Sequence, residues 1–137
     1  MMTAVFELSQ QAARVMEKQG GGKIINIASL ASFQGAWTVP AYTAAKHGVA
    51  GLTKALANEW AAKRINVNAI APGYFDTDMC ASLINDPERE PRIRERIPAG
   101  YWGRPDELVG ALLFLASNAS RYVHGHVLVV DGGWMGR

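Results

Sequence analysis

Three short β-branched runs, each separated from the next by a helical segment, constrain the fold of this chain more than any other feature. The runs are Ile24–Ala28, Ile65–Ile70 and Val127–Val130. β-branched side chains favour strands, and near-continuous apolar runs are typical of strands that are buried on both faces. Strands that are joined through helices pair in parallel, because a parallel pair needs a crossover connection. The pattern therefore predicts an α/β fold with a three-stranded parallel sheet and flanking helices.

The helical segments carry the spacing of amphipathic helices. The first covers residues 3–19 and places its apolar side chains on one predicted face: Val5, Leu8, Ala12 and Val15. The second, residues 41–62, is rich in alanine and follows Pro40, which suits the first turn of a helix. A third begins at Pro105 and is predicted to turn these residues inward: Leu108, Leu112, Leu113, Leu115 and Ala116. All three segments are therefore expected to cover the sheet.

Between Tyr74 and Arg104 the apolar periodicity disappears, and the sequence becomes polar and contains proline. We predict short helical turns at most and interpret residues 74–104 as a mobile loop over the substrate, because long segments of this kind are often functional. Four arginines alternate here with acidic residues: Arg89, Arg92, Arg94 and Arg96. The planar fork of an arginine suits a carboxylate. The mixed signs of charge, however, favour a solvated loop.

Composition and charge restrict the class of protein. The chain has 137 residues, 14 Lys and Arg, and 12 Asp and Glu, a net charge of +2. One domain fits this length, and the charge is too small to indicate a nucleic-acid or membrane partner. Cys80 is the single cysteine, so we expect no disulfide framework and a reducing, cytoplasmic setting. His124 and His126 lack partners at metal-ligand spacing, and we expect no metal.

Tyr42 and Lys46 are four residues apart and share one face of the second predicted helix. An ammonium beside a phenol favours the phenolate, which suits the phenol to proton exchange with an alcohol or a carbonyl. Ser29 directly follows the first strand, at the edge where parallel sheets place reactive groups. Its hydroxyl would then bond the same substrate oxygen. An exposed helix with a lysine stem packed on an aromatic ring is the alternative.

Longer motifs surround these residues. They are Ile25–Ser29 (INIAS), Tyr42–Lys46 (YTAAK), Asn66–Gly73 (NVNAIAPG), Thr77 and Val130–Gly133 (VDGG). In this order and at these spacings the chain resembles the short-chain dehydrogenase/reductase family over nearly its whole length. The resemblance implies the C-terminal part of a Rossmann-like doubly wound parallel sheet, with the first half of that fold absent. Residues 1–137 would then form a single partial domain.

The resemblance also implies the role of each residue. Ser29 would polarise the substrate oxygen, Tyr42 would act as general acid/base, and Lys46 would stabilise the phenolate and hold the nicotinamide ribose. The residues expected to bind the cofactor are Tyr42, Lys46, Pro72, Gly73 and Thr77. The cofactor would be NAD, with NADP not excluded.

Further motifs resemble the family members that act on small sugar acids of the deoxy-gluconate type. They are Ser32–Gly35, Ala57–Trp60, Arg96–Gly100 and Asp131–Trp134. Substrate contacts are expected from Ser29, Gln34, Trp37 and Tyr42, with a packing role as the alternative for Trp37. The predicted helices at 3–19 and 41–62 match those that pair subunits in the family, which implies a homo-oligomer, usually a tetramer.

The chain departs from the family pattern at the glycine-rich turn that approaches a pyrophosphate. Gly20–Gly22 is no substitute, because it follows a helix and precedes a strand. The asparagine that completes the catalytic group would fall at about Met1. Two hypotheses stay open: an NAD(P)-dependent oxidoreductase of sugar acids, and a non-catalytic remnant that acts only as an oligomerisation partner.

Overall fold

A parallel sheet of three strands forms the centre of the chain. The computed structural model describes residues 2–137, in which β1 (Gly22–Ile27), β2 (Ile65–Pro72) and β3 (Val127–Val130) lie in the order β1-β2-β3. The α-helices are α1 (Met2–Lys18), α2 (Pro40–Trp60), α3 (Ala81–Ile84), α4 (Arg89–Arg96) and α5 (Val109–Ala116). The predicted α/β class and the parallel sheet are confirmed.

Two residues of β1 that point to opposite faces of the sheet show that helices cover both faces. Asn26 points towards α2, where its Nδ2 donates to Oγ1 of Thr53 at 3.0 Å. Lys23 points the other way, and its Nζ donates to Oγ of Ser120, just beyond α5, at 3.3 Å. Successive side chains of a strand lie on opposite faces. The helices therefore flank the sheet on both sides, as in a doubly wound fold.

The central strand, β2, is buried along its length except at its last residue. Asn68 lies in its middle, with a side chain that is 1% exposed. Its Nδ2 donates to the carbonyl of Val123 at 2.9 Å, and its Oδ1 accepts from the backbone N–H of His126 at 2.9 Å. A buried amide is tolerated when its polar atoms are bonded. These bonds attach the loop before β3 to the centre of the sheet.

The predicted buried face of α1 is wrong in part. Leu8 and Val15 are 67% and 55% exposed, whereas Ser9 and Ala13 are buried. Ala13 packs in the cluster that contains Ile24 and residues of α2. Small side chains on this face allow α1 to approach its neighbours closely, so the larger apolar residues are displaced to the outer face.

The prediction for α5 is also wrong in part. Leu112 and Leu113 are 45% and 62% exposed, and Leu115 is the buried residue of this helix. Ile27, at the end of the edge strand β1, is 55% exposed. It is four residues from Lys23, and even spacing places the two on the same face of the sheet. The α5 side of the molecule therefore retains uncovered apolar surface next to a strand edge.

The segment 74–104 contains more helix than predicted. Its helix α4 follows Asp86, whose Oδ1 accepts from the backbone N–H groups of Glu88 and Arg89 at 2.9 and 3.0 Å. Pro91 lies in the first turn, where its missing donor costs no helical hydrogen bond. The expectation of short turns at most is wrong, because the alternating charges that suggested a loop belong to a solvated helix.

One position implied by the resemblance falls outside the described residues. Met1, where the resemblance would place an asparagine, lies outside residues 2–137. Within those residues, no helix combines the length and the apolar character that crossing a membrane requires.

Candidate active site

A cavity of about 560 Å³ opens beside the carboxyl ends of β1 and β2. Ligands of parallel sheets bind at this edge, because the loops that follow the strands diverge there. Most of the predicted site residues line the cavity: Ser29, Gln34, Trp37, Tyr42, Pro72 and Gly73. Lys46 and Thr77 are not part of its wall. The structure therefore brings together residues that are up to 44 positions apart in the sequence.

Ser29 is held at the start of a short 3-10 helix, Leu30–Ser32. Its Oγ accepts from the backbone N–H of Ala31 at 3.2 Å, and its own N–H donates to Oγ of Ser32 at 3.3 Å. Ser32 in turn donates to the carbonyl of Lys46 at 2.7 Å. A hydroxyl carries one proton and two lone pairs. The Ser29 hydroxyl is thus fixed by one accepted bond and retains its proton for a ligand.

Lys46 lies against Tyr42, with Nζ 5.6 Å from the centroid of the phenol ring. Its Nζ donates to the carbonyl of Ile27 at 2.7 Å, at the end of β1. The side chain is buried, and this burial lowers the pKa of the ammonium below its ordinary value. An ammonium has three donors, so the bond to Ile27 leaves two. The alternative of an exposed helix with a lysine stem on an aromatic ring is wrong in its exposure, because Lys46 is buried, although its side chain does lie against the Tyr42 ring.

Trp37 stands at the mouth of the cavity and is 90% exposed. The packing role considered for this residue is therefore wrong. The next residue, Thr38, has φ of 69°, and its hydroxyl donates to the carbonyl of Trp37 at 2.6 Å. Left-handed backbone is unfavourable for a β-branched residue. The turn that presents the Trp37 indole is consequently a strained one.

Thr77 lies away from the cavity wall. It is exposed and precedes the 3-10 helix Asp78–Cys80, and its carbonyl accepts from the N–H of Cys80 at 2.9 Å. Its predicted contact with a cofactor stays a prediction. Among residues 2–137, no group of three His, Cys, Asp or Glu side chains is placed to hold a metal ion.

An aromatic wall that the sequence analysis missed completes the cavity. Tyr74 and Trp134 have ring centroids 4.6 Å apart, and Trp102 meets Tyr74 edge-on at 5.4 Å. The indole N–H of Trp134 donates to Oε1 of Gln34 at 3.3 Å. Tyr74 directly follows Pro72-Gly73, and Trp134 follows the last strand, so both come from carboxyl ends of strands. That shared position is the signal by which they are recognisable in the sequence.

The charge of the cavity wall comes from α4. Arg89 and Arg96 both line it. Burial raises the pKa of the Tyr74 phenol, and the positive charges of Arg96 and Arg89 partly offset this effect. Both guanidinium groups therefore place positive charge near Tyr74 in the cavity wall.

Comparison with known proteins relates the chain to dehydrogenases. A family model described as enoyl-(acyl carrier protein) reductase matches residues 1–135. The 2-dehydro-3-deoxy-D-gluconate 5-dehydrogenase of Bacillus subtilis (strain 168) is 59% identical over 136 residues, which cover 99% of this chain and 54% of that protein.

Solved structures agree with this relationship. A gluconate 5-dehydrogenase from Burkholderia cenocepacia J2315, in complex with NADP and tartrate, superimposes with a TM-score of 0.95 at 44% identity, covering 97% of this chain and 52% of that one. A protein described as a 2-deoxy-D-gluconate 3-dehydrogenase from Agrobacterium tumefaciens, with bound NADP, gives 0.91 at 59% identity, with coverages of 94% and 53%. The chain spans about half the length of the curated relatives that it matches.

Proposed function

Because the chain belongs to the short-chain dehydrogenase/reductase family, we propose that it serves hydride transfer between NAD(P) and a hydroxyl or keto group of a small sugar acid. The observation that carries this proposal is the cavity that Ser29 and Tyr42 both line, with Lys46 buried beside the phenol ring. The names of the relatives support a substrate of the deoxy-gluconate type, and the tartrate bound to one of them supports a hydroxy acid.

In this proposal the residues of the chain handle the proton. During oxidation, Tyr42 removes the O–H proton of the alcohol while Ser29 donates a hydrogen bond to the same oxygen. The Lys46 ammonium, with Nζ 5.6 Å from the centroid of the ring, supplies the positive charge beside the phenol in this step. During reduction, Tyr42 returns the proton to the carbonyl oxygen. The dinucleotide, when bound, accepts or supplies the hydride.

The geometry of the chain fits the nicotinamide end of such a cofactor. Pro72 ends β2 and Gly73 follows it, and both line the cavity. Because Gly73 has no side chain, its backbone can approach a ligand closely. Lys46 has two donors left after its bond to Ile27. We propose that these donors hold the ribose hydroxyls, and that Tyr42, Pro72, Gly73 and Thr77 supply the remaining contacts.

Titration of the purified chain with NADH tests the proposal directly. Trp37 and Trp134 line the cavity, so energy transfer from tryptophan to the reduced nicotinamide is expected to saturate in the micromolar range. Oxidation of D-gluconate or 2-dehydro-3-deoxy-D-gluconate with NAD or NADP is then expected, monitored by absorbance of the reduced cofactor. No saturation with millimolar NADH, and no turnover by a folded sample, contradict the proposal and favour the remnant hypothesis.

We also propose that the chain forms a homo-oligomer through α1 and α2. The exposed Leu8 and Val15 support this arrangement, because they lie two turns apart on the outer face of α1. Sedimentation velocity is expected to show a dimer or larger species, and Leu8→Glu should shift the distribution towards the monomer. Tyr122→Glu is the control, because this 96% exposed side chain lies outside α1, α2 and the cavity wall. It should leave the distribution unchanged. A monomeric unaltered chain would refute this arrangement.

A further inference from the structure

Two arginines of α4 face the cavity in which Ser29 and Tyr42 lie. Arg89 and Arg96 are seven residues apart, which is close to two helical turns and places them on one face of α4. Ile93, between them on that face, packs against the cluster of Leu30, Ile97 and Trp134. The orientation of the two arginines is thus set by the apolar contact of the helix that carries them.

The other two arginines of α4 are in different surroundings. Arg94 pairs with Glu90, its Nε lying 2.9 Å from Oε1, and Glu90 also accepts from the indole N–H of Trp102 at 3.2 Å. Arg92 is exposed, as Arg89 and Arg96 are, but it is not part of the cavity wall. The arginines of α4 therefore differ in their surroundings. Arg94 is paired with a carboxylate and Arg92 lies outside the cavity wall. Arg89 and Arg96 face the cavity.

The guanidinium of Arg96 is positioned by stacking. Its Cζ lies 4.0 Å from the ring centroid of Trp134, which is 6% exposed and is tied to Gln34 through its indole N–H. Nη1 of Arg137 donates to the carbonyls of Glu95 and Arg96 at 3.1 and 3.2 Å, which holds the end of α4. A stacked guanidinium keeps its edge of N–H donors free in a defined plane.

The electrostatic character of the cavity is positive. Within the part of the chain that the structure describes, its lining contains no Asp or Glu. Aromatic and apolar groups make up much of the remaining wall: Leu30, Trp37, Val39, Tyr74, Met79, Leu83 and Trp134. Charges beside apolar surface are less screened than charges in open water. The cavity is therefore suited to an anionic ligand that also presents hydroxyl groups to Ser29 and Tyr42.

We propose that Arg96 binds the carboxylate of the acid substrate through its planar fork, and that Arg89 adds a second positive charge to the same subsite. A carboxylate matches the two parallel N–H donors of a guanidinium. Anchoring that end of the substrate presents a hydroxyl further along its carbon chain to Ser29 and Tyr42. This assignment rests on the proposed function, and it names Arg96 as the residue that selects acids over neutral polyols.

Calorimetric titration of the chain with D-gluconate and with D-glucitol, a neutral polyol of the same length, tests the assignment without cofactor or turnover. The unaltered chain should bind gluconate more tightly than glucitol. Arg96→Met is expected to weaken gluconate binding on the order of 10- to 100-fold, the loss of a charged hydrogen-bonding pair, and to leave glucitol unchanged. Arg89→Met should weaken gluconate binding about threefold to tenfold, because it acts mainly through charge.

Arg92→Met is the matched control, since it removes the same charge from the same helix outside the cavity. It should leave gluconate binding unchanged within about twofold, as an exposed charge outside the cavity wall is screened by water and salt. An equal loss in Arg92→Met and Arg96→Met, or equal affinity of the unaltered chain for gluconate and glucitol, overturns the assignment. The two proposals can fail separately. If the chain binds gluconate selectively but does not bind NADH, the acid subsite is supported and hydride transfer by this chain is rejected.

Discussion

Replacing Tyr42 with phenylalanine is expected to lower kcat for sugar-acid oxidation by about 10²–10⁴-fold, the usual contribution of a positioned general acid/base. The substitution removes the phenolic oxygen and retains the ring against which Lys46 lies at 5.6 Å. The buried ammonium therefore keeps both its packing and its bond to Ile27. Stopped-flow or steady-state absorbance of NADPH reports the loss, and titration with NADH and with gluconate should show affinities within about threefold of the unaltered chain.

Tyr122→Phe is the matched control, because Tyr122 is 96% exposed and is not part of the cavity wall. This variant should retain full turnover, as changes to exposed side chains away from a site have small effects. A Tyr42→Phe protein that keeps more than about a tenth of the activity would show that another group transfers the proton. Ser29 would then be the candidate, since its hydroxyl is the other proton donor of the predicted group in the cavity wall.

Gly73→Ala is expected to destabilise the fold by about 1–3 kcal/mol and to abolish NADH binding, because it overpacks the junction between β2 and β3. A Cβ at Gly73 would lie 2.7 Å from both Cα and Cβ of Asp131. Asp131 is not free to move away, since its carboxylate accepts from the backbone N–H groups of Gly133 and Met135, both at 2.8 Å. Urea unfolding monitored by circular dichroism measures the change in the free energy of unfolding.

Gly110→Ala is the comparison for this variant. Gly110 lies in the first turn of α5 and has no atom within 4 Å of an added Cβ. Alanine there should stabilise the helix by up to about 1 kcal/mol, because glycine is the weaker helix former. If Gly73→Ala and the unaltered chain had equal free energies of unfolding, the loop after β3 would move aside with little loss of stability. That result would contradict the argument from the close contact of Gly73 with Asp131.

The apolar periodicities were sufficient to predict the order of elements in this chain. Each predicted strand overlaps an observed one, and Val127–Val130 agrees at both ends. The predicted helices at 3–19 and 41–62 correspond to α1 and α2, apart from a short 3-10 turn after α2. Local spacing was informative here because strand and helix periods depend on near neighbours and on propensity. It failed for α4, whose alternating charges resemble those of a solvated loop.

The sequence also supplied the candidate proton-transfer residues Tyr42, Lys46 and Ser29, which are close to one another along the chain. A serine at the end of a strand and a tyrosine–lysine pair one turn apart are local patterns. The structure places Ser29 and Tyr42 in the wall of one cavity and Lys46 beside the Tyr42 ring. Their catalytic roles stay predictions. Trp37 shows the limit of such patterns, because the sequence allowed either a packed or an exposed indole, and the fold exposes it.

Periodicity and motif spacing thus determined the class of fold, the order of its elements and the candidate proton-transfer residues. They did not determine which helix faces are buried, as the exposed Leu8 and Leu113 show. They also did not associate Arg96 with Trp134, 38 residues later, or Trp134 with Gln34, which is 100 residues away. Burial and contact between distant residues depend on how helices pack across a sheet, and that packing is a property of the assembled chain.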